Sequence, residues 1–315
     1  MPSFVETIDS ETPVLTDGGI ETRIMFETRI EMDPDIQVAA LPGSPQGRAA
    51  LREIHSGYIE AARSNSLPLI LGTPTFRASP AFIERSGRPT EALGSLNRDA
   101  TDLMKEIRTE SGYEPVFIAG VIGPSGDAYL PEQALSREEA AKYHRGQAEA
   151  LVDAGADFLF APTFPSVDEA EGACLAMAST GLPHVISYIL GPDGDVLDGT
   201  PLADAIDRID ANPEARPLYH SLSCIHPVAA ARAIVKFKLA AGDAAGRLVE
   251  FKANGSPLRT DELIQLNHPE TDAPDTFAEE MIDLFDPQGL RVLGGCCGTR
   301  ETHMAALGRL LAGRH

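Results

Sequence analysis

The run Val292-Leu-Gly-Gly-Cys-Cys-Gly-Thr299 joins a short apolar segment to two adjacent cysteines. Adjacent cysteines rarely form a disulfide with each other, because the ring would be strained. Glycines on both sides of the pair accept backbone conformations that other residues avoid, so both sulfurs can turn toward one ligand. Paired thiolates are common zinc ligands. The run therefore predicts a buried strand that ends in a metal-binding loop.

Seven similar apolar runs precede this one, and helical patterns lie between them. The predicted strands are residues 14–17, 67–73, 116–121, 158–161, 184–189, 218–223, 248–252 and 292–295. Predicted helices include residues 46–65, 89–111, 136–154, 167–180, 227–241 and 300–311. Eight alternating β and α units are typical of a (β/α)8 TIM barrel, whereas a doubly wound sheet usually has fewer strands. We therefore expect an α/β fold in which residues 1–315 form one TIM-barrel domain.

Two long connections, residues 28–47 and 254–274, follow the first and seventh predicted strands. Both leave the carboxyl ends of their strands, and that face of a TIM barrel carries the active site. We expect them to wall or cover the site.

Composition limits the kinds of partner. The chain has 315 residues, is 43% hydrophobic and carries a formal net charge of −21, which repels nucleic acid phosphates and anionic lipids. Its first residues lack a signal-peptide pattern, and no apolar segment is long enough to span a membrane. We expect a cytoplasmic protein with small-molecule partners and no nucleic acid or membrane partner; a homo-oligomer stays open. In a reducing compartment its four cysteines are expected to be buried thiols or metal ligands.

Polar and sulfur side chains recur at the carboxyl ends of the predicted strands. They are Asp17, Thr73, Thr75, Thr163, Cys224, Asn254, Cys296 and Cys297. Only one strand separates the sixth from the eighth in a closed barrel, so Cys224 can approach the cysteine pair. Three protein ligands and an open fourth position are a catalytic zinc pattern, since structural zinc is normally closed by four. Alternatively, Cys224 ends a buried strand as a small apolar residue.

Three other residues have ordinary alternatives. Cys174 lies in a predicted helix, where we favour a packing role. His226 offers a fourth metal ligand, but the segment before Pro227 also fits a plain strand-to-helix turn, which we favour. The Asp17-Gly-Gly19 run fits a tight turn with a capping aspartate as well as a binding site.

Seven motifs follow one another along nearly the whole chain. They are Asp17-Gly-Gly19, His55-Ser-Gly-Tyr-Ile-Glu-Ala-Ala62, Thr73-Pro-Thr-Phe-Arg-Ala-Ser79, Gly120-Val-Ile-Gly-Pro-Ser-Gly126, Leu151-Val-Asp-Ala-Gly-Ala-Asp157, Ser223-Cys224 and Gly294-Gly-Cys-Cys-Gly-Thr299. Their order and spacing resemble the homocysteine S-methyltransferase family. The family includes betaine-dependent and S-methylmethionine-dependent enzymes and the homocysteine domain of cobalamin-dependent methionine synthase. The resemblance implies a (β/α)8 barrel with a zinc ion held by Cys224, Cys296 and Cys297.

The resemblance also implies direct methyl transfer to sulfur. Coordination to zinc lowers the pKa of a thiol, so a thiolate is available near neutral pH. That thiolate, by default of homocysteine, attacks the methyl group of a small sulfonium or quaternary ammonium donor such as S-methylmethionine or betaine, and methionine forms. No proton moves in this step, so no Ser/His/Asp array is needed.

Several residues depart from the family pattern around the acceptor. Pro162-Thr163 stands where family members carry a Glu-Thr pair that holds the homocysteine amino group, and Ser223 replaces an asparagine. Ile20-Glu-Thr22 replaces a Gly-Thr pair, and Glu21 is either a substitute carboxylate or an exposed residue at a helix start. Arg77 is either a bidentate ligand for a carboxylate or a surface arginine.

We therefore predict a zinc-dependent S-methyltransferase of methionine biosynthesis, with a thiol and a methyl donor as partners. The alternatives are the same barrel acting on another thiol or donor, and a non-catalytic barrel that binds zinc or a thiol. The predicted catalytic and metal residues are Cys224, Cys296 and Cys297. The predicted substrate-binding residues are Asp17, Gly18, Glu21, Thr73, Thr75, Arg77, Thr163, Ser223 and Asn254.

Overall fold

Eight parallel strands close into a barrel in the order of the chain. The computed structural model describes residues 2–10, 12–258, 262, 266 and 268–313. Its strands are β1 (Val14–Thr16), β2 (Leu69–Gly72), β3 (Val116–Val121), β4 (Phe158–Phe164), β5 (His184–Tyr188), β6 (Tyr219–Ser223), β7 (Leu248–Ala253) and β8 (Val292–Gly295). β1 pairs with β2 and also with β8, where Val14 lies opposite Val292. The predicted TIM barrel and its eight strands are confirmed.

Helices surround the barrel. They are α1 (Phe4–Asp9), α2 (Glu21–Glu27), α3 (Pro45–Arg63), α4 (Pro80–Arg85), α5 (Ala92–Ser111), α6 (Arg137–Asp153), α7 (Val167–Ala178), α8 (Leu202–Asp210), α9 (Pro227–Ala240), α10 (Pro274–Gln288) and α11 (Glu301–Ala312). The six predicted helices are α3, α5, α6, α7, α9 and α11, each within three residues of its predicted ends. Among the described residues, no helix has the length and apolar character needed to cross a membrane.

Two apolar layers follow from the alternation of side chains along the strands. One layer joins strand residues such as Leu15 and Leu71 to the surrounding helices. The other contains strand residues such as Ile70 and Val185 together with Phe4 and Ile8 of α1, so it is the barrel interior. Side chains therefore fill the barrel, as is usual for this fold.

The short helix α1 closes the amino end of the barrel. The Phe4 ring stacks on Phe158, with ring centroids 3.7 Å apart, and meets the edge of Phe117 at 5.6 Å. Both partners lie at or next to the first residue of their strands. Access to the interior is consequently left to the carboxyl end.

The first long connection, residues 28–47, packs beside α4. Its Ile36 and Ala39 form a small apolar cluster with Phe82 and Ile83. Asp33 accepts a hydrogen bond from Arg88 at 2.6 Å. The second connection, residues 254–274, lies partly outside the described residues; its residues 268–272 run beside the loop that follows β8.

Candidate metal centre and active site

Three sulfur atoms meet at the carboxyl ends of β6 and β8. The Sγ atoms of Cys224, Cys296 and Cys297 all lie within 4.8 Å of one another. Strand β7 holds both loops, because the Cys224 amide donates to the Lys252 carbonyl at 3.0 Å and the Cys296 amide donates to Ala253 at 2.7 Å. The structure thus brings together the three cysteines that the sequence selected as metal ligands.

Cys224 and Cys296 are joined as a disulfide, with Cα atoms 5.6 Å apart, and Cys297 is a free thiol. The sequence predicts buried thiols or metal ligands and not this bond; the predicted approach of Cys224 to Cys296, 72 positions away, is what allows it. Cys296 and Cys297 are not bonded to each other, as the ring strain predicts. Thiolates are the sulfur species that bind metals, so all three cysteines can act together only after reduction of the pair.

Two residues at strand ends adopt the left-handed backbone conformation. Thr163 has a φ of 61° and Cys224 a φ of 59°. Positive φ is uncommon for residues with a Cβ and is a marked outlier for β-branched threonine. Such conformations persist where neighbouring groups hold them, and they cluster at functional sites. For Cys224 the neighbour is Asn254, whose side-chain amide donates to the Cys224 carbonyl at 2.9 Å.

The glycines around the cysteine pair are required by space and by conformation. A Cβ on Gly294 would overlap the Thr16 hydroxyl group. Gly298 has a φ of 80°, which glycine adopts without steric cost. These two constraints explain why the motif has glycines on both sides.

An ion pair joins Asp17, directly after β1, to Lys252 of β7, so it bridges the two strands that flank β8. The Lys252 ammonium donates to the Asp17 carboxylate and, at 3.0 Å, to the Thr16 hydroxyl. The second carboxylate oxygen of Asp17 accepts from the Gly72 amide at 2.7 Å. Lys252 was not among the residues predicted from the sequence. The pattern that indicates it is the alternation of Glu250 and Lys252 within an apolar strand, which places both side chains on one face of the strand.

Glu21 and Arg77 supply further charges at this face. Burial raises the pKa of Glu21, the charge of Asp17 raises it further, and the charges of Arg77 and Lys252 lower it. A hydrogen bond from its own backbone to the Glu21 carboxylate also lowers the pKa. The Arg77 guanidinium lies over the Phe82 ring, 4.9 Å from its centroid, and its buried Nε has no described partner.

Burial also acts on the free thiol. It raises the pKa of Cys297 to about 12, and the negative charge of Glu21 raises it as well. A nearby cation has the opposite effect, because it stabilises the thiolate. The three sulfurs fit zinc or another thiophilic metal rather than magnesium or calcium, which prefer oxygen ligands.

Several predicted substrate residues already bond to other protein groups. The Thr73 hydroxyl accepts from the Val121 amide at 2.9 Å, and the Thr75 hydroxyl donates to the Val121 carbonyl at 2.7 Å. The Ser223 hydroxyl lies 2.6 Å from that of Ser187. Thr163 donates to the carbonyl of Pro162 at 2.7 Å. Their contact with substrate stays a prediction.

Four further residues were singled out from the sequence: Gly18, Asn254, Cys174 and His226. Gly18 is packed against Tyr58 and Thr299, where an added Cβ would lie 2.9 and 2.7 Å from their hydroxyl oxygens. Asn254 is buried, and its Oδ1 has no partner among the described residues. Cys174 is buried inside α7, in keeping with a packing role. His226 lies with Asp272 and Glu280 and outside the sulfur group.

Comparisons with known proteins identify the family of this chain. The model of the homocysteine S-methyltransferase family matches residues 14–311. Betaine–homocysteine S-methyltransferase 1 of Danio rerio is 27% identical over 98% of this chain and 75% of its own length, and homocysteine S-methyltransferase of Escherichia coli strain K12 is 25% identical over 95% and 96%.

Solved structures give the same result for the fold. Crystal structures of the homocysteine methyltransferase MmuM from Escherichia coli match with TM-scores of 0.75 in the oxidized form and 0.74 in the metallated form. Both are 21% identical and cover 96% of this chain and 97% of their own. A metal-bound form therefore exists for one protein of this fold. Because the family match spans the whole barrel and all three cysteines, this chain belongs to the homocysteine S-methyltransferase family, a family of methyltransferases.

Proposed function

We propose that the chain transfers a methyl group from a small sulfonium or quaternary ammonium donor to a thiol, with homocysteine as the default acceptor. The observation that carries this proposal is the meeting of Cys224, Cys296 and Cys297 at the carboxyl end of the barrel. Active sites of TIM barrels lie at this end. Family membership supports methyl transfer, and the names of the relatives support homocysteine as acceptor.

Zinc is the proposed cofactor, held by the three cysteines after reduction. When bound, zinc supplies a Lewis acid that lowers the pKa of the acceptor thiol and makes a thiolate available near neutral pH. Zinc would also favour the thiolate form of its cysteine ligands, because a nearby cation stabilises the ionised thiol.

Three polar groups are proposed to recognise the charged ends of an amino-acid thiol. The Glu21 carboxylate and the Asn254 Oδ1 atom are acceptors suited to an ammonium group, and the Asn254 Oδ1 atom has no partner among the described residues. The Arg77 guanidinium is suited to a carboxylate, which it can bind through two hydrogen bonds. Glu21 would then replace the carboxylate that Pro162 cannot provide.

Asp17 has a different proposed part. The Lys252 ammonium already pairs with the Asp17 carboxylate. The ammonium group of a substrate would have to displace the Lys252 side chain in order to bind there. We therefore assign the ammonium of the acceptor to Glu21 and Asn254. Asp17 and Lys252 would shape the wall beside them.

In the reaction the acceptor sulfur approaches the methyl carbon opposite the leaving atom. A carbon–sulfur bond forms while the bond from the methyl group to the donor sulfur or nitrogen breaks with its electron pair. The donor loses its positive charge, and no proton transfer is required. The part of the protein is to align the two substrates and exclude water.

The changed residues Pro162 and Ser223 favour one alternative, in which the same barrel acts on another thiol.

Residues 1–315 are proposed to act as one domain in the cytoplasm, as the sequence predicts.

The test is an assay with the reduced, zinc-loaded protein, homocysteine and either S-methylmethionine or betaine, with methionine detected by mass spectrometry. We expect methionine with at least one donor, and loss of zinc and activity in Cys296→Ser. Cys174→Ala is the control and keeps both, because Cys174 lies in α7 and is not a member of the sulfur group. Protein with the disulfide intact is expected to bind no zinc. Full zinc occupancy without product from any donor would contradict the proposal, and turnover of a different thiol would favour the alternative.

A further inference from the structure

One residue, Asp272, connects the loop after Cys224 with the loop of Cys297. His226 begins helix α9 two residues beyond Cys224 and is buried. Its Nδ1 accepts from the Val228 amide at 3.4 Å, which places the ring proton on Nε2. This Nε2 donates to the Asp272 carboxylate at 2.7 Å and lies 3.5 Å from Glu280. The side chain of Asp272 therefore fixes the start of α9.

The backbone of Asp272 continues the connection on its other side. The Asp272 amide donates to the Gly255 carbonyl at 2.7 Å, and the Gly255 amide donates to the Cys297 carbonyl at 2.9 Å. The Asp272 carbonyl accepts from His303 Nε2 at 3.0 Å, and His303 belongs to α11, the helix that follows the cysteine loop. A chain of hydrogen bonds thus runs from His226 through Asp272 and Gly255 to Cys297.

We propose that Asp272 is a positioning residue for the metal centre, which it serves by holding the Cys224 loop against the Cys297 loop through His226. The inference rests on the metal centre of the proposed function.

Two physical arguments support this role. Cys224 has a φ of 59°, a disfavoured conformation that neighbouring groups must maintain. The three sulfurs also come from two separate loops, so their mutual spacing depends on contacts between those loops. Groups that orient metal ligands through hydrogen bonds typically contribute about 10- to 100-fold to metal affinity.

The chain offers a matched control three residues away. Asp275 lies in the first turn of α10 and pairs with Arg309 at 2.9 Å, and both side chains are mainly exposed. This pair has no bond to either cysteine loop among the described residues. Asp275→Ala therefore removes an aspartate and an ion pair from the same region without touching the proposed connection.

The test measures zinc affinity of the reduced protein by competition with a chromophoric chelator, without substrates. We expect Asp272→Ala to weaken zinc binding about tenfold, the lower end of the range for groups bonded directly to a ligand, because Asp272 acts through His226. Asp272→Asn should recover most of the affinity, since its amide oxygen still accepts from His226. Asp275→Ala should match the unmodified protein. The cobalt-substituted protein gives a second readout, because the charge-transfer band between sulfur and cobalt should shift in Asp272→Ala only.

Thermal unfolding of the metal-free variants separates positioning from loss of the fold, and Asp272→Ser replaces the alanine variant if that protein does not fold. Unchanged zinc affinity in Asp272→Ala, or failure of the unmodified reduced protein to bind zinc, would overturn the inference. Two zinc ions per chain, with only the second lost in Asp272→Ala, would also overturn it, because His226, Asp272 and Glu280 would then be a metal site themselves. Tight zinc binding without methyl transfer would count against the proposed function alone.

Discussion

The charged residues Glu250 and Lys252 lie inside an otherwise apolar barrel, on the same face of β7. Lys252 is paired with Asp17, whereas one carboxylate oxygen of Glu250 has no described partner. Burial raises the pKa of Glu250 to about 7, although the charge of Lys252 lowers it. A carboxyl group with a raised pKa binds a proton on folding, so its ionisation above that pH opposes the folded state.

Replacing Glu250 with glutamine should therefore stabilise the protein at high pH. The unfolded carboxyl ionises near 4.5 and the folded one near 7, so stability from this group is lost as the pH rises between these values. Each pKa unit corresponds to about 1.4 kcal/mol, which gives Glu250→Gln an advantage of up to roughly 3 kcal/mol at pH 8 and little at pH 4. Urea unfolding at both pH values measures it. Glu31→Gln, at an exposed position, is the control, and an equal effect at both pH values would contradict the prediction.

At the scale of elements, strand β7 organises the site, since Lys252, Ala253 and Asn254 bond to the residues around the cysteines. The apolar run predicted this strand, and the positions of Cys224 and Cys296 after their own strands predicted that they meet. The partners of Lys252 and Asp272 could not be predicted, because Lys252 lies within its strand rather than at the end and Asp272 lies in a connection whose course the strand pattern does not fix. The sequence does not predict the disulfide, because a reducing compartment disfavours such a bond and the distance between the two cysteines follows only from the closed barrel.

The helix α1 was missed for a different reason. It has six residues, fewer than the window in which an apolar period of 3.6 can be recognised. Its capping box, in which Ser3 and Glu6 exchange hydrogen bonds, was the available signal.

The contacts of Phe4 predict that α1 contributes strongly to stability. Phe4 is 4% exposed and inserts between aromatic rings at the amino end of the barrel. Phe4→Ala should lower the free energy of unfolding by about 3 to 5 kcal/mol, because a large buried ring is replaced by a cavity. Val5→Ala, at the partly exposed neighbouring position, should cost much less. Denaturant unfolding measures the free energy of unfolding of each variant. A decrease for Phe4→Ala no larger than that for Val5→Ala would show that the packing of Phe4 against the barrel contributes little to stability.

At the scale of the whole molecule, the net charge of −21 has the sign that attracts a cationic methyl donor. Attraction of this kind raises the encounter rate and falls with ionic strength, since the screening length is about 10 Å at 0.1 M salt. S-methylmethionine carries a net charge of +1, whereas betaine is neutral overall. The two donors therefore allow the long-range field to be separated from the local contacts in the barrel mouth.

We expect kcat/KM for S-methylmethionine to fall about two- to tenfold between low salt and 0.15 M salt, because salt screens the long-range attraction that raises the rate of association. For betaine the change should be much smaller, because its charges cancel at long range while its quaternary ammonium group still meets the same side chains. Steady-state rates at several sodium chloride concentrations, with zinc and homocysteine saturating, give the comparison. Equal salt dependence for both donors would mean that the charge of the molecule does not guide the donor and that only the groups beside the cysteines select it.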